Sequence, residues 1–253
     1  DKVGQVLRPA ILWNDGRSEA QCRTLESTII KARVITGNLV MPGFTAPKLL
    51  WIKENEPDIF KQVDKVLLPK DYLRYKLTGE FASDMSDSAG TSWLNTGERS
   101  WSKSMLMACG LSEKHMPKLY EGNEITGYLT AETAKRWGMN AVPVVAGAGD
   151  NAAGAVGCGI VDAGQAMLSL GTSGVYFAVT NDYRSDPESA VHSFCHAVGH
   201  RWHLMSVMLS AASCLDWFAK NSGYSSVAEL FDDVVNNTRP DDPNTPFFLP
   251  YLT

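Results

Sequence analysis

The chain has 253 residues, 44% of them apolar and 20% charged, with a formal net charge of −5. A chain of this size buries roughly 70% of its unfolded surface and needs no disulfide or metal staple. The composition argues against a basic nucleic-acid stripe, no apolar run approaches the ~18 residues of a membrane span, and no charged-then-apolar leader opens the sequence.

The first stretch, residues 5–13, is apolar and strand-like, closed by the turn-prone Asn14, Asp15 and Gly16. Helical spacing predicts a helix over 17–33, with Leu25, Ile29 and Ala32 inward, and another from Thr45 to Phe60. Lys65 to Leu68 reads as a short strand, and Asp71 to Leu77 as a helix stopped by Gly79. Residues 83–88 read as a polar loop. Helices are predicted at 101–109 and 129–137, then a short buried strand at 143–147. The Gly- and Ala-rich run from Asp150 to Gly159 reads as a tight turn into a closely packed helix. After residue 162 the pattern changes to hairpins, 166–169 with 175–179 and 191–198 with 201–208, followed by a helix over 213–221. Mixed strands and helices imply an α/β protein, with a domain boundary near residue 162.

The five cysteines, Cys22, Cys109, Cys158, Cys195 and Cys214, are scattered with no C-x-x-C pair, as expected of reduced thiols in a cytoplasmic protein. Apolar residues near both ends, Val6 to Trp13 and Phe247 to Leu252, read like cuts through a larger protein.

Four groups of residues could carry chemistry. Asp150 follows a strand and is flanked by Gly147, Gly149, Ala152 and Ala153, neighbours small enough to admit another molecule. The competing reading is a helix cap, for which Asp is a favoured residue. Ala152 breaks the G-x-G-x-x-G dinucleotide pattern. Gly171, Thr172, Ser173 and Gly174 form a turn whose amides and hydroxyls suit a phosphate, although the same residues serve an ordinary hairpin. No G-K-[ST] occurs, which excludes a Walker-type site. Trp13 with Asn14, Asp15 and Arg17 offers a flat ring beside polar groups, as a sugar requires, or a core tryptophan before a surface turn. His192, Cys195, His196, His200 and His203 lack zinc-ligand spacing and read as hairpin residues, so no metal ligand is assigned.

Residues 43–55, GFTAPKLLWIKEN, fit a signature of the FGGY carbohydrate kinases along its whole length. The segments Ile11–Arg17, Gly149–Asn151 and Leu170–Gly174 resemble that family's sugar-pocket, catalytic and second phosphate segments in order and spacing. Residues 41–48, 67–74 and 81–87 resemble in particular the bacterial members that act on D-xylulose. The resemblance implies an actin-like (ribonuclease H-like) two-domain ATPase fold, incomplete at both ends. Residues 1–162 would belong to the N-terminal sugar-binding domain and 163–253 would start the C-terminal ATP-binding domain. It further implies ATP-dependent phosphorylation of D-xylulose to D-xylulose 5-phosphate, with Mg²⁺. Asp150 would be the base and a sugar contact, Asn151 and Trp13 would line the sugar pocket, and Gly171, Thr172 and Ser173 would meet the ATP phosphates. Domain closure would exclude water. A homodimer is compatible with the family. The family's D-x-G-T-S hairpin, a Met-His pocket pair and a G-G-G adenosine motif are absent from these 253 residues, so the chain alone is expected to show little or no kinase activity. The alternatives are a family member acting on ribulose, gluconate or glycerol, and a non-catalytic sugar- or nucleotide-binding module.

Overall fold

The structure, a computed structural model, describes residues 1–239, 243, 245–249 and 251–252. Pro250, within the apolar run near residue 252, lies outside them.

Residues 5–13 form no strand. They run irregularly, with a bend at Arg8 and a turn at Trp13 and Asn14, to a 3₁₀ turn at Gly16–Ser18; Leu12 and Trp13 are exposed, and the stretch pairs with no strand among the described residues. The helix predicted over 17–33 is two helices, α1 (Glu19–Thr28) and α2 (Ala32–Thr36), separated where Ile29 leaves helical geometry. The next prediction also splits, into α3 (Thr45–Asn55) and α4 (Pro57–Phe60). Glu56 stands before Pro57, and a residue before proline is driven out of the α region. Residues 65–68 are irregular rather than a strand, and the Val66 amide donates to the His115 carbonyl. Helix α5 (Pro69–Thr78) begins with proline at its first turn and ends at Gly79, whose φ of 80° is the left-handed cap that glycine adopts without penalty.

The predicted polar loop at 83–88 is regular. It contains β1 (Ala82–Asp84) and α6 (Met85–Ala89), and Asp84 caps α6 by accepting from the Asp87 amide. Next come β2 (Leu94–Asn95), β3 (Ser100–Trp101), α7 (Lys103–Ala108), β4 (Lys118–Tyr120), β5 (Ile125–Tyr128), α8 (Ala131–Trp137) and β6 (Pro143–Val145). Strand β1 pairs parallel with β4, Ser83 opposite Leu119. Strands β2 and β3 pair antiparallel, as do β5 and β6 across an irregularity between Ile125 and Gly127. Strand β6 is not the buried strand expected, since Pro143 and Val145 are exposed. Helix α9 (Asp150–Gly157) follows, then β7 (Ala166–Leu170), β8 (Gly174–Thr180), β9 (His192–Cys195), β10 (Trp202–Met208), α10 (Ser213–Asn221) and α11 (Val227–Asn237). Both predicted hairpins and the helix at 213–221 are present. Strands β7 to β10 are ordered β7-β8-β10-β9.

The chain divides into two compact units, Asp1–Gln165 with Ala178–Leu204, and Ala166–Phe177 with Met205–Thr253. In the first, Leu25, Leu50, Trp93, Met105 and Leu106 form the centre of an apolar core shared by α1, α3 and α7. Burying such side chains stabilises by roughly 1.5–3 kcal/mol each. The Trp93 indole N–H donates to the Cys109 sulfur at 3.3 Å, and burial raises the Cys109 thiol to about 11. All five cysteines are free thiols. In the second unit α10 and α11 pack together, and Cys214 donates to the Ser210 carbonyl. Among the described residues no helix is long and apolar enough to cross a membrane.

Candidate active site

Asp150 opens α9, but its N-cap is Gly149. The carboxylate is exposed, and its Oδ1 accepts from the Asn151 amide at 2.8 Å and from Asn151 Nδ2 at 3.2 Å. Among the described residues nothing bonds Oδ2, which leaves an oxygen for an incoming hydroxyl. The loop ahead turns at Gly147, whose φ of 76° excludes most side chains. A carboxylate in the first turn also lies where the free helix amides favour negative charge.

Buried and half-buried ionic groups underlie this loop, and no motif in the sequence marks their role. Arg74 donates to the carbonyls of Ala82, at 2.6 Å, and of Ala146, and pairs with Asp71 at 3.2 Å. Lys70 pairs with Asp71 at 2.8 Å, with Asp84, and with Asp87 at 3.3 Å. Burial alone would lower the Lys70 pKa, but Asp84, Asp71 and Asp87 together raise it. Burial raises Asp87 to about 6 against the pull of Lys70. Ser86 donates to Asp84 and accepts from the Gly149 amide at 3.0 Å. Such groups are 60 or more residues away in sequence from the loop they hold, so spacing could not connect them. The density of small polar residues from Ser83 to Ser88 was the available signal.

Trp13, 70% exposed, belongs to a second cluster in the same unit. Arg17 grips Asp15 with Nε and Nη2 contacts of 2.9 and 2.7 Å and lies 5.0 Å over the Trp51 ring. The Arg17 hydrogen bonds hold Asp15 down at about 2. Gly43 approaches so closely that an added Cβ would stand 2.9 Å from the Trp13 carbonyl oxygen. Lys48, buried on α3, donates to the Gly43 carbonyl at 2.8 Å, and burial lowers its pKa. The 43–55 segment thus carries the backbone behind Trp13.

The Gly171–Gly174 turn lies in the second unit up to residue 177, with Gly171, Thr172 and Ser173 exposed. Its carbonyls are taken: Ala211 and Ala212 amides donate to Thr172 and Gly171 at 2.8 and 2.9 Å, and the Ser213 hydroxyl donates to Thr172 at 3.0 Å. Anchoring the turn by its carbonyls leaves its side-chain hydroxyls exposed.

His196 and His203 are buried and His192 is half-buried, whereas His200, with φ 56°, is exposed. His192 stacks on Phe194 at 5.4 Å and lies 5.8 Å from Phe44, and His203 meets Phe194 edge-on at 5.7 Å.

The sequence pattern described as "FGGY family of carbohydrate kinases, N-terminal domain" matches residues 1–157. The chain belongs to the FGGY family of carbohydrate kinases. A xylulose kinase of Escherichia coli (strain K12) is 66% identical over 100% of this chain and 52% of its own length. One of Bacillus subtilis (strain 168) is 38% identical over 100% of this chain and 51% of its own. The chain therefore spans about half the length of the curated relatives it matches. Among solved structures, a xylulose kinase from Brucella ovis superposes with a TM-score of 0.87 at 55% identity, covering 91% of this chain and 47% of that one. The xylulose kinase of Rhodospirillum rubrum gives 0.85 at 26% identity, covering 92% and 48%. The fold is that of FGGY kinases, the actin-like ATPase fold, of which this chain covers about half.

Proposed function

We propose that the protein to which this chain contributes phosphorylates D-xylulose at the expense of ATP, with Asp150 as the general base. The observation that carries the proposal is the exposed Asp150 carboxylate, with Oδ2 open, on a loop of glycine and alanine, in a chain matched end to end by xylulose kinases. Asp150 takes the proton of the attacking sugar hydroxyl, which lets the oxygen add to phosphorus. Asn151, bonded to Asp150, holds a neighbouring hydroxyl, and the exposed Trp13 ring covers the C–H face of the sugar. ATP supplies the transferable phosphoryl group. Gly171, Thr172 and Ser173 meet its phosphates. That turn carries hydroxyls and amides but no carboxylate, so it fits the anion and not Mg²⁺, for which oxygen-rich acidic ligands are needed. No side chain of this chain is therefore assigned to the metal. We assign residues 1–162 to the sugar-binding part and 163–253 to the start of the ATP-binding part, supported by the end of the family match at residue 157. The five free thiols suit a cytoplasmic protein.

ADP release by the complete protein, with D-xylulose beside D-ribulose, gluconate and glycerol, tests the reading. D-Xylulose is expected to give the highest kcat/KM. Asp150→Asn should lower kcat by at least about 10²-fold and leave the sugar KM within a few-fold, the scale of general-base catalysis. Turnover near wild type in Asp150→Asn would remove Asp150 from the mechanism. A preference for another of the four substrates would reassign the sugar.

A further inference from the structure

If Asp150 is the base, its reach depends on the loop that carries it, and that loop is pinned at both ends by buried side chains outside it. At the far end, Arg74, 5% exposed, donates to the Ala146 carbonyl while Asp71, 1% exposed, balances its charge at 3.2 Å. At the near end, the Gly149 amide donates to Ser86 Oγ at 3.0 Å. The Ser86 hydroxyl can accept this bond in a fixed direction because its own hydrogen is given to Asp84 Oδ1. Asp84, fully buried, is itself fixed by the Asp87 amide at 2.9 Å and by Lys70. Buried charges are costly and persist where every one is paired. Here the paired set ends on the backbone immediately before Asp150, whereas capping α6 needs only the Asp84 bond to the Asp87 amide. The Ser86 bond crosses from α6 to the N-cap of α9.

We propose that Ser86, oriented by Asp84, is a positioning residue for Asp150: it fixes the Gly149 peptide and with it the direction in which the carboxylate leaves α9. This inference rests on the assignment of Asp150 as base. Displacing a reacting group by even 1 Å can cost about 10²-fold in rate, and losing one of two pins should cost less.

The test is Ser86→Ala in the complete protein, read by steady-state kinetics and by amide hydrogen exchange. The expected result is a kcat about tenfold lower, a sugar KM within twofold, and exchange of the Gly149 amide at least tenfold faster. The Ala146 amide, which donates to the Glu124 carbonyl at 3.0 Å, should be unchanged and serves as the internal reference. A kcat within twofold of wild type, an equal loss in kcat and sugar affinity, or unchanged Gly149 exchange overturns the proposal. Should Ser86→Ala not fold, Ser86→Cys replaces it, nearly isosteric but a poor acceptor, with the same expectations. Asp150→Asn is measured in parallel. An inactive Asp150→Asn beside a fully active Ser86→Ala defeats the positioning role alone. An active Asp150→Asn defeats the base assignment, and with it this proposal, whatever Ser86 does.

Discussion

A methyl group added at Gly122 would stand 2.4 Å from the Ala197 carbonyl oxygen and 2.8 Å from that of Gly147. Both neighbours are backbone, so relief requires Gly122 itself to move, or both the loop before Asp150 and the turn at residue 197 to give way. Overpacking of this kind typically costs 1–3 kcal/mol, and Gly122→Ala is expected to cost about 2 kcal/mol. At Gly149 the same methyl would lie 3.5 Å from Asp87 Oδ1, an ordinary contact, on a backbone with φ −60°. There the entropy advantage of alanine in the unfolded chain opposes its weaker capping, and Gly149→Ala should stay within about 0.5 kcal/mol. Urea unfolding of both variants checks the pair; equal costs would show that the close approach at Gly122 is not rigid. Neither outcome could be read from the sequence, because the atoms that decide it, Ala197 and Gly147 carbonyls at Gly122 and Asp87 at Gly149, are brought there by the fold. Asp150 was legible as a candidate because its neighbours are small and its segment resembles a known one. Ser86 was not, because its bond to Gly149 joins positions brought together only by the fold.

Among the elements, the helices with punctuation were the legible ones. Pro69 and Gly79 bracket α5, and Gly138 ends α8. Strands were harder. The apolar run at 5–13 has strand composition but no partner among the described residues, and a strand exists only through its neighbour's hydrogen bonds. Strands β2 and β3 are two residues each, below any detectable period. Helix α11 was missed although it carries a start signal, Ser226 with Glu229 three residues on. The Ser226 side chain accepts from the Glu229 amide at 3.2 Å, and Glu229 accepts in turn from the Ser225 amide at 2.7 Å. Ser226→Ala should therefore destabilise α11 by about 1 kcal/mol, raising amide exchange at Leu230 and its neighbours about fivefold, while Ser226→Asp keeps the wild-type rate. Equal rates in both variants would mean that packing against α10, not the cap, sets the stability of this helix.

On the scale of the whole molecule, the four segments at 11–17, 43–55, 149–151 and 170–174 carried the resemblance to the FGGY kinases, and the family match spans the first three of them. The switch from helices to hairpins in the sequence pattern placed a change of character near residue 162. The compact units are interleaved in sequence, with Ala178–Leu204 grouped with the first 165 residues, and no local pattern signals a chain that returns. That return brings His203 into the core of the first unit, 2% exposed, edge-on to Phe194 and 6.0 Å from His196. Burial, with His196 and His192 adding to it, lowers the His203 pKa from 6.5 to about 3. A depressed folded pKa means that the unfolded chain takes up a proton first as the pH falls. Stability from neutral His203 is thus complete above pH 6.5 and is lost progressively toward pH 3. Between pH 7 and pH 5 the loss from this one group is about 2 kcal/mol. His203→Phe removes the proton uptake while keeping a ring in the aromatic cluster. Six of the seven tryptophans lie in the same unit, so urea unfolding followed by tryptophan emission reports on it. Wild type should lose about 2 kcal/mol more than His203→Phe between the two pH values. Equal losses in the two proteins would show that His203 is protonated in the folded state, and that the core opens to water around it.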